Sequence, residues 1–440
     1  MSNRPSEWDK YVLGSVLFIS LLIGGGTASG LYTDTLIEIA AIVSAAAVFS
    51  QTSGQRIPRS VLWLLIFAVA LVTLQIVPLP AAIFNGLRPE LLFANPWLAE
   101  EPRFRFVSVG VGRTIECLLY LVAAAAFFLS VFRLRTEQVY GLLPFFFMGV
   151  ICNGLAGAIQ YSLSDDIAIE GLLPFTINAG LFANQNHFAA LLFVSIPFVV
   201  YYGLFRGHLL SGSLGLVTLL LLLLAAGSRA GVLIGLAITV LSIVFLSARS
   251  RVSGLSILAV FIGLTAYTIG AWTKMDAEAV DPAFGRGEFA RTTIEGIKEN
   301  LAIGVGFGNF QKAYQIYETE GMVFEKYVNH AHNDYLEIAF EGGVVAIVLM
   351  VFYFILLFAR LIRIRRDPLQ KAAFLSVFFL LIHSLVDYPL RTEALAMTFA
   401  YMNAIIFRNG FADSLAQKNE LIEIDHNGSK LSVPIGTLSS

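Results

Sequence analysis

Long uninterrupted apolar runs restrict what this chain can fold into more than any other feature. The hydrocarbon core of a bilayer needs about 20 apolar residues per helix. Runs of that order lie near 11–27, 35–50, 61–77, 114–132, 139–160, 187–204, 209–226, 230–247, 253–271, 335–361, 372–388 and 394–407. About twelve spans are therefore expected. Backbone polar groups in hydrocarbon must be satisfied internally, so the spans are helices, and the ten-residue alternation of a membrane barrel is missing from the sequence. Composition agrees: 57% of residues are hydrophobic and 14% charged, with 36 Phe against 29 Lys plus Arg and a mean hydropathy of +0.75. The expected fold class is all-α, a polytopic transmembrane bundle forming a single membrane domain over 1–440. The first run resembles a secretory signal ending near "GGGTASG", but the many runs behind it favour a retained first span.

Short connections rich in Lys and Arg set the orientation. "QRIPRS", "FRLRTE", "FRGH", "SARSRVS" and "ARLIRIRRDPLQK" alternate with connections almost free of basic residues. The basic set goes inside, which puts both termini in the cytoplasm. The connections at 78–113, 161–186 and 272–334 then face the other side, the periplasm of a Gram-negative cell. The 78–113 loop carries Trp97, Phe104 and Phe106 among prolines and arginines, a composition suited to the headgroup interface. The large 272–334 loop is expected to hold short helices, and the polar 409–440 tail to be a disordered cytoplasmic segment. A formal net charge of -2 gives no basis for nucleic-acid binding. Cys117 and Cys152 lie in apolar runs and read as buried thiols.

Chemistry-bearing residues gather at the outer ends of the predicted helices. Arg229, in "AAGSRAGV", sits between two apolar runs, where an arginine either snorkels to the interface or clamps an anion such as phosphate. "FGRGEFARTTIEGIKEN" predicts a helical stretch in which Arg286 and Arg291 stand among Glu288, Glu295 and Glu299; surface ion pairs and phosphate binding both fit that spacing. "GVGFGNF" has the alternating glycines of a tight turn, without the strand and crossover of a dinucleotide fingerprint. In "HAHNDYLEIAFEGG", His330, His332 and Asp334 spell the H-x-H-x-D that opens a two-metal site in some soluble hydrolases. Tyr335 replaces the next histidine of that motif, and no metal is expected. A neutral His332 at a helix start suits a general base. Glu337 and Glu341 share a helical face that should meet the bundle. "HSLVDYPLRTE" places His383 and Asp387 four apart, predicting one helix face and either a plain pair or a carboxylate that orients an imidazole, with Arg391 just beyond Pro389. "GLFANQNHFAALL" brings Asn184, Gln185, Asn186 and His187 to the start of a span, one asparagine serving as a cap and the rest free for sugar hydroxyls or water.

In this order, "FANQNHFA", "GSRAG", "GRGEF", "GVGFGNF", "HNDYLEIAFEGG" and "HSLVDYPLR" resemble the O-antigen ligase and O-antigen (exopolysaccharide) polymerase superfamily of polytopic membrane glycosyltransferases, over about 178–391. The resemblance implies transfer of a glycan from an undecaprenyl-diphosphate carrier to an acceptor sugar at the periplasmic face of the inner membrane, without metal or cofactor. It maps the family's histidine, asparagine and glycine on His332, Asn333 and Gly343, and its arginines on Arg229 and Arg286, with Arg291 as second candidate for the diphosphate. Three family positions differ here: Ala346 stands where the family often has Gly, Thr or Tyr, Ala290 where it usually has a tryptophan and Leu301 where it usually has a proline. Asn184, Asn186, Asn333, Glu337, His383, Asp387 and Arg391 are the expected acceptor-binding or supporting groups. The expected activity is a polysaccharide polymerase of exopolysaccharide or lipopolysaccharide biosynthesis, with ligation of finished polymer to lipid A-core as the alternative. A flippase and a chain-length regulator are the expected neighbours. A twelve-helix secondary transporter is the more distant reading; it would call for related halves with polar groups at mid-membrane.

Overall fold

Among the described residues the apolar runs become helices, and polar or glycine-rich punctuation ends them. The structure, a computed structural model, describes residues 7–28, 30–51, 55–84, 103–163, 178–247, 263–270, 283–318, 328–364 and 367–408. The helices are α1 (Glu7–Ile23), α2 (Tyr32–Gln51), α3 (Arg59–Gln75), α4 (Val111–Arg133), α5 (Thr136–Tyr140), α6 (Leu143–Leu163), α7 (Gln185–Phe205), α8 (Leu209–Ala226) and α9 (Arg229–Ser247). A helical stretch at 263–270 is α10. Then come α11 (Ala283–Asn300), α12 (Phe310–Tyr314), α13 (Asp334–Arg363), α14 (Pro368–His383) and α15 (Glu393–Phe407). Among the described residues seven helices are long and apolar enough to cross a membrane, and α3, α14 and α15 are shorter apolar helices. The chain is thus an all-α multi-pass membrane protein.

Most expected spans return as helices shifted by a few residues. The expected span at 372–388 ends earlier, at His383, because Ser384 to Asp387 form turns before Pro389. The expected span at 253–271 is described only over 263–270. Trp97, the greater part of the 161–186 connection and the 409–440 tail lie outside the described residues.

Small residues let the central helices touch. A Cβ added to Gly212 would lie 2.6 Å from the Gly203 Cα, so the α7 and α8 backbones meet there. One on Gly231 would lie 2.6 Å from the Ala189 Cβ, which draws α9 onto α7. Consequently α7, α14 and α15 are buried on nearly all sides, while α8 and α13 keep exposed apolar stripes such as Leu210, Leu214 and Leu221 or Val344, Val348 and Ile355. At the end away from the candidate site, Arg408 donates to the last carbonyls of α4, at 3.0 Å to Val131 and 2.6 Å to Phe132, and so satisfies acceptors that a helix C-terminus leaves open.

Of the expected large loop, the described parts, 283–318 and 328–334, form a cap over the other end. Its main helix, α11, runs 18 residues and is longer than the short helices expected. Val305, Phe310, Tyr314, Val328 and Phe340 form a small apolar core of their own, with Phe289, Ile297 and Leu336 packed against it. The 78–113 connection contributes a two-residue antiparallel pair, Leu79–Pro80 with Phe104–Arg105, and Val109 N donates to Val305 O at 3.0 Å.

Candidate active site

Glycine spacing shapes the floor of the site. Gly304, Gly306 and Gly308 all have positive φ, at 68°, 93° and 81°, so "GVGFGNF" coils with its N–H groups turned inward. Those groups meet α13: Val305 N donates to Phe340 O, Gly306 N to Glu341 O, and Gly308 N and Phe310 N to the Glu341 carboxylate at 2.9 and 3.1 Å. The glycine turn therefore binds a carboxylate of its own chain. α13 kinks at Gly343, with φ 63° and ψ -157°, and a Cβ there would lie 2.7 Å from Gly304 N and 2.8 Å from Leu301 O. Close backbone approach is what makes a glycine necessary at that position.

Arg391 fastens this floor to the end of α14. Its guanidinium lies 3.1 Å from Glu341, 3.4 Å from Glu337 and 3.7 Å from Asp334. Burial works against the charge, and the three carboxylates outweigh it, holding Arg391 firmly protonated. Glu337 accepts from Ala331 N at 3.0 Å and pairs with His330 Nδ1 at 2.8 Å. Asn333 caps α13, accepting from Tyr335 N and Leu336 N, and donates to Leu385 O at 2.8 Å. The inward face expected for Glu337 and Glu341 is what the structure has.

His332 stands at the centre. Its φ of 50° is left-handed, uncommon for a residue with a side chain. That turn carries the imidazole against Phe289 of α11, stacked at 5.7 Å, and edge-on to Tyr388 at 5.0 Å. Nδ1 is buried 3.6 Å from Asp387 Oδ1, which leaves Nε2 as the nitrogen able to meet a ligand. His330 diverges from it: it stacks on Tyr388 at 4.1 Å and faces Glu337. Among the described residues no group of three His, Cys, Asp or Glu side chains is disposed to hold a metal ion.

Asp387 is the hub that gathers the remaining groups. It is buried, and Asn186 Nδ2 donates to its Oδ2. His187 Nε2 lies 3.7 Å from Oδ1, and Arg286 Nη2 lies 3.8 Å from Oδ2. Burial opposes ionisation of this carboxyl, and the imidazoles of His187, His332 and His383 more than offset it, so it is held well below the usual carboxylate range. Burial and the Asp387 charge push the neighbouring Tyr388 phenol up to about 12.

The expected pairing of His383 with Asp387 is corrected here. α14 ends at His383, and Asp387 lies beyond it in a turn, its N–H donating to His383 O. The His383 ring is buried edge-on against Phe193 at 5.5 Å, and neither nitrogen has a hydrogen-bond partner. The carboxylate faces His332 and His187 instead, because the turn reverses its direction. Of the arginines, Arg286 reaches this hub. Arg291 is exposed and sits 3.5 Å from Glu288 on the same helix. Arg229 opens α9 after a left-handed Gly227 (φ 72°), and a Cβ on Gly227 would lie 3.9 Å from Gln185 Oε1, so this turn borders the start of α7. Asn184 caps α7, accepting from Asn186 N at 2.8 Å.

Two contributors carry no assigned role in the sequence reading: Tyr388 and Phe289. His187 is a candidate there for sugar hydroxyls or water, and it meets Asp387 and Tyr388 because α7 packs against α14. Phe289 gave no signal at all.

A search of curated proteins found no match. Residues 214–351, from α8 through the kinked part of α13, match the family model described as O-Antigen ligase. That stretch carries Arg229, Arg286 and His332, whereas Asn186, His187, Asp387 and Arg391 complete the site from outside it. The match makes the stretch that carries the arginines and the histidine similar to the O-antigen ligase family, and it ends before Asp387 and Arg391.

Proposed function

We propose that the chain is a polysaccharide polymerase at the periplasmic face of the bacterial inner membrane, moving a glycan from an undecaprenyl-diphosphate carrier to an acceptor sugar. The observation that carries this reading is one buried carboxylate, Asp387, flanked by His332 at 3.6 Å and Arg286 at 3.8 Å. Base and cation thus stand side by side at a helix mouth. His332 Nε2 takes the proton from the acceptor hydroxyl, while Asp387 stabilises the imidazolium through the Nδ1 side. The freed oxygen attacks the anomeric carbon, and the bond to the carrier's diphosphate breaks with its electron pair on phosphate. Arg286, together with Arg229 on the neighbouring turn, offsets the charge that develops there. Direct displacement of this kind inverts the anomeric centre. Asn184, Asn186 and Tyr388 supply amide and phenol groups for sugar hydroxyls. The resident groups supply all of this chemistry without a metal or cofactor.

The test is complementation in a host deleted for its own copy. His332→Ala and Arg229→Ala variants present at normal levels should yield single, unpolymerised units. Full-length polymer from both variants would sink the reading. Free lipid-linked polymer accumulating over bare lipid A-core would identify a ligase instead.

A further inference from the structure

Acidic side chains gather beside the Arg391 turn, in a place the transfer chemistry does not use. Asp34 and Glu38 stand on the first two turns of α2, Glu116 stands near the start of α4, and Glu393 opens α15, two residues beyond Arg391. Asp34 and Glu38 are the charges that act on Glu393, and Glu116 acts on Glu38, so these residues form one group. Glu393 is fully buried, yet neither of its carboxylate oxygens has a hydrogen-bond partner, and Asp34 Oδ1 is buried and unpartnered as well. Buried acceptors without donors are costly, which points to a ligand that brings the donors.

Those acceptor oxygens decide what the ligand is. A single proton would supply one donor and leave part of the set unpaired. A metal ion needs its carboxylates in one tight shell, and among the described residues no three such side chains are so disposed. A primary ammonium has three N–H donors and one positive charge, which matches both the unpaired oxygens and the sign of the group. The helix surfaces around the group show where the ammonium comes from. Tyr32, Leu36 and Ile39 of α2 and Ile115 and Leu119 of α4 are exposed beside it, on helices long and apolar enough to cross a membrane, so acyl chains are its neighbours. Its rim carries a cation: Arg113, half-exposed, pairs with Glu116 at 3.0 Å. A Cβ added to the exposed Gly30 would lie 3.5 Å from Glu116 Oε1 and 3.8 Å from Arg113 Nη1, so this pair borders open backbone. A zwitterionic headgroup offers an ammonium to the buried end and a phosphate to that rim.

We propose that this group binds the headgroup of an aminophospholipid, with the ammonium on Asp34 and Glu393 and the phosphate facing Arg113. The half-buried Glu38 and Glu116 side chains part to admit it. Tyr120 donates to Leu390 O at 2.6 Å and to Thr392 O at 3.2 Å, tying the turn between Arg391 and Glu393 to α4. A lipid bound at Glu393 therefore braces the turn that carries Arg391. The assignment does not depend on the transfer reading.

The test is native mass spectrometry of the detergent-purified full chain, titrated with lipids of identical acyl chains: phosphatidylethanolamine, its monomethyl and dimethyl forms, and phosphatidylcholine. The series keeps the phosphate and removes the N–H donors stepwise. The unaltered chain should retain phosphatidylethanolamine about tenfold or more better than phosphatidylcholine, with the methylated forms between, the loss expected for hydrogen bonds to a charged group. Equal retention across the series would overturn the proposal. Glu393→Gln and Asp34→Asn should each remove most of the preference, while Glu295→Gln, exposed on α11, should keep it. Preference retained in both cluster variants would show that Glu393 holds only a proton, and would also overturn it. Should a variant fail to fold, the lipid series on the unaltered chain still decides. Glucosamine, a soluble amine, added in excess should leave the bound lipid in place; its displacement would mark a sugar-amine site and overturn the lipid assignment.

Discussion

Replacing Asp387 by Asn tests the hub with little change in shape. The carboxylate lies 3.6 Å from His332 Nδ1. At an effective dielectric of about 20, a full charge pair at that distance is worth about 4–5 kcal/mol. The imidazolium shares its charge between two nitrogens, and Nε2 is farther away, so about 2–3 kcal/mol bears on the cation that develops as the hydroxyl proton is taken. Loss of that stabilisation predicts a fall in kcat of roughly 30- to 150-fold. The assay is polymer-ladder formation by purified protein in proteoliposomes, with kcat and KM measured across pH. Because Asp387 also holds Asn186, Asn186→Ala serves as the control for packing. It should leave the pH profile in place, while Asp387→Asn moves the acid limb. Retention of more than half the kcat in Asp387→Asn, with an unmoved profile, would refute the role given to this carboxylate.

Arg286→Ala should cost about 100-fold or more in kcat, the usual loss for a group aimed at developing charge, whereas Arg291→Ala, whose guanidinium faces Glu288 on an exposed surface, should stay within about threefold; comparable losses in the two would contradict the assignment. His330 yields a stability prediction. Burial lowers its affinity for a proton and Glu337 raises it further, so its value stands above the ordinary histidine value of about 6.5. The pair therefore contributes fully below about pH 6.5, and that contribution is lost as pH rises through the higher folded value. The melting temperature in detergent should fall over that window in the unaltered chain and stay flatter in His330→Gln; identical slopes would exclude the pair.

Helices were legible in the sequence because each is a property of one contiguous run: α8, expected at 209–226, is Leu209–Ala226. Local motifs were legible for the same reason, as with the asparagine cap of "FANQN" at the start of α7 and the inward face of Glu337 and Glu341. Relations between segments were not. The spacing of His383 and Asp387 suggests a shared helix face, yet the helix stops between them and the carboxylate turns to residues 201 and 55 positions away, Asn186 and His332. "GVGFGNF" announces a turn, but nothing local reveals that its amides close on Glu341, 33 residues from Gly308. Phe289 became a site residue solely because α11 packs on α13, a tertiary fact carried by the small apolar core of the cap.

That dependence on distant partners makes Arg391 the severest test of the architecture. One guanidinium bridges Asp334 and Glu337 in the first turn of α13 and Glu341 before its kink, and Glu341 in turn holds the glycine turn. Arg391→Lys keeps the charge but replaces a planar fork by a point charge that cannot satisfy three carboxylates at once. Removing one partner of a buried pair costs about 3–5 kcal/mol, because the other charge is left uncompensated. Arg391→Ala should therefore lower the melting temperature and the yield of folded protein more than Arg391→Lys. Glu341→Gln should restore part of the Arg391→Ala loss, since it removes one of the stranded charges. A double variant whose loss equals the sum of the two single losses would show that the groups act independently. The fold would then owe the geometry of His332 to packing alone, and the charged floor beneath it would need another explanation.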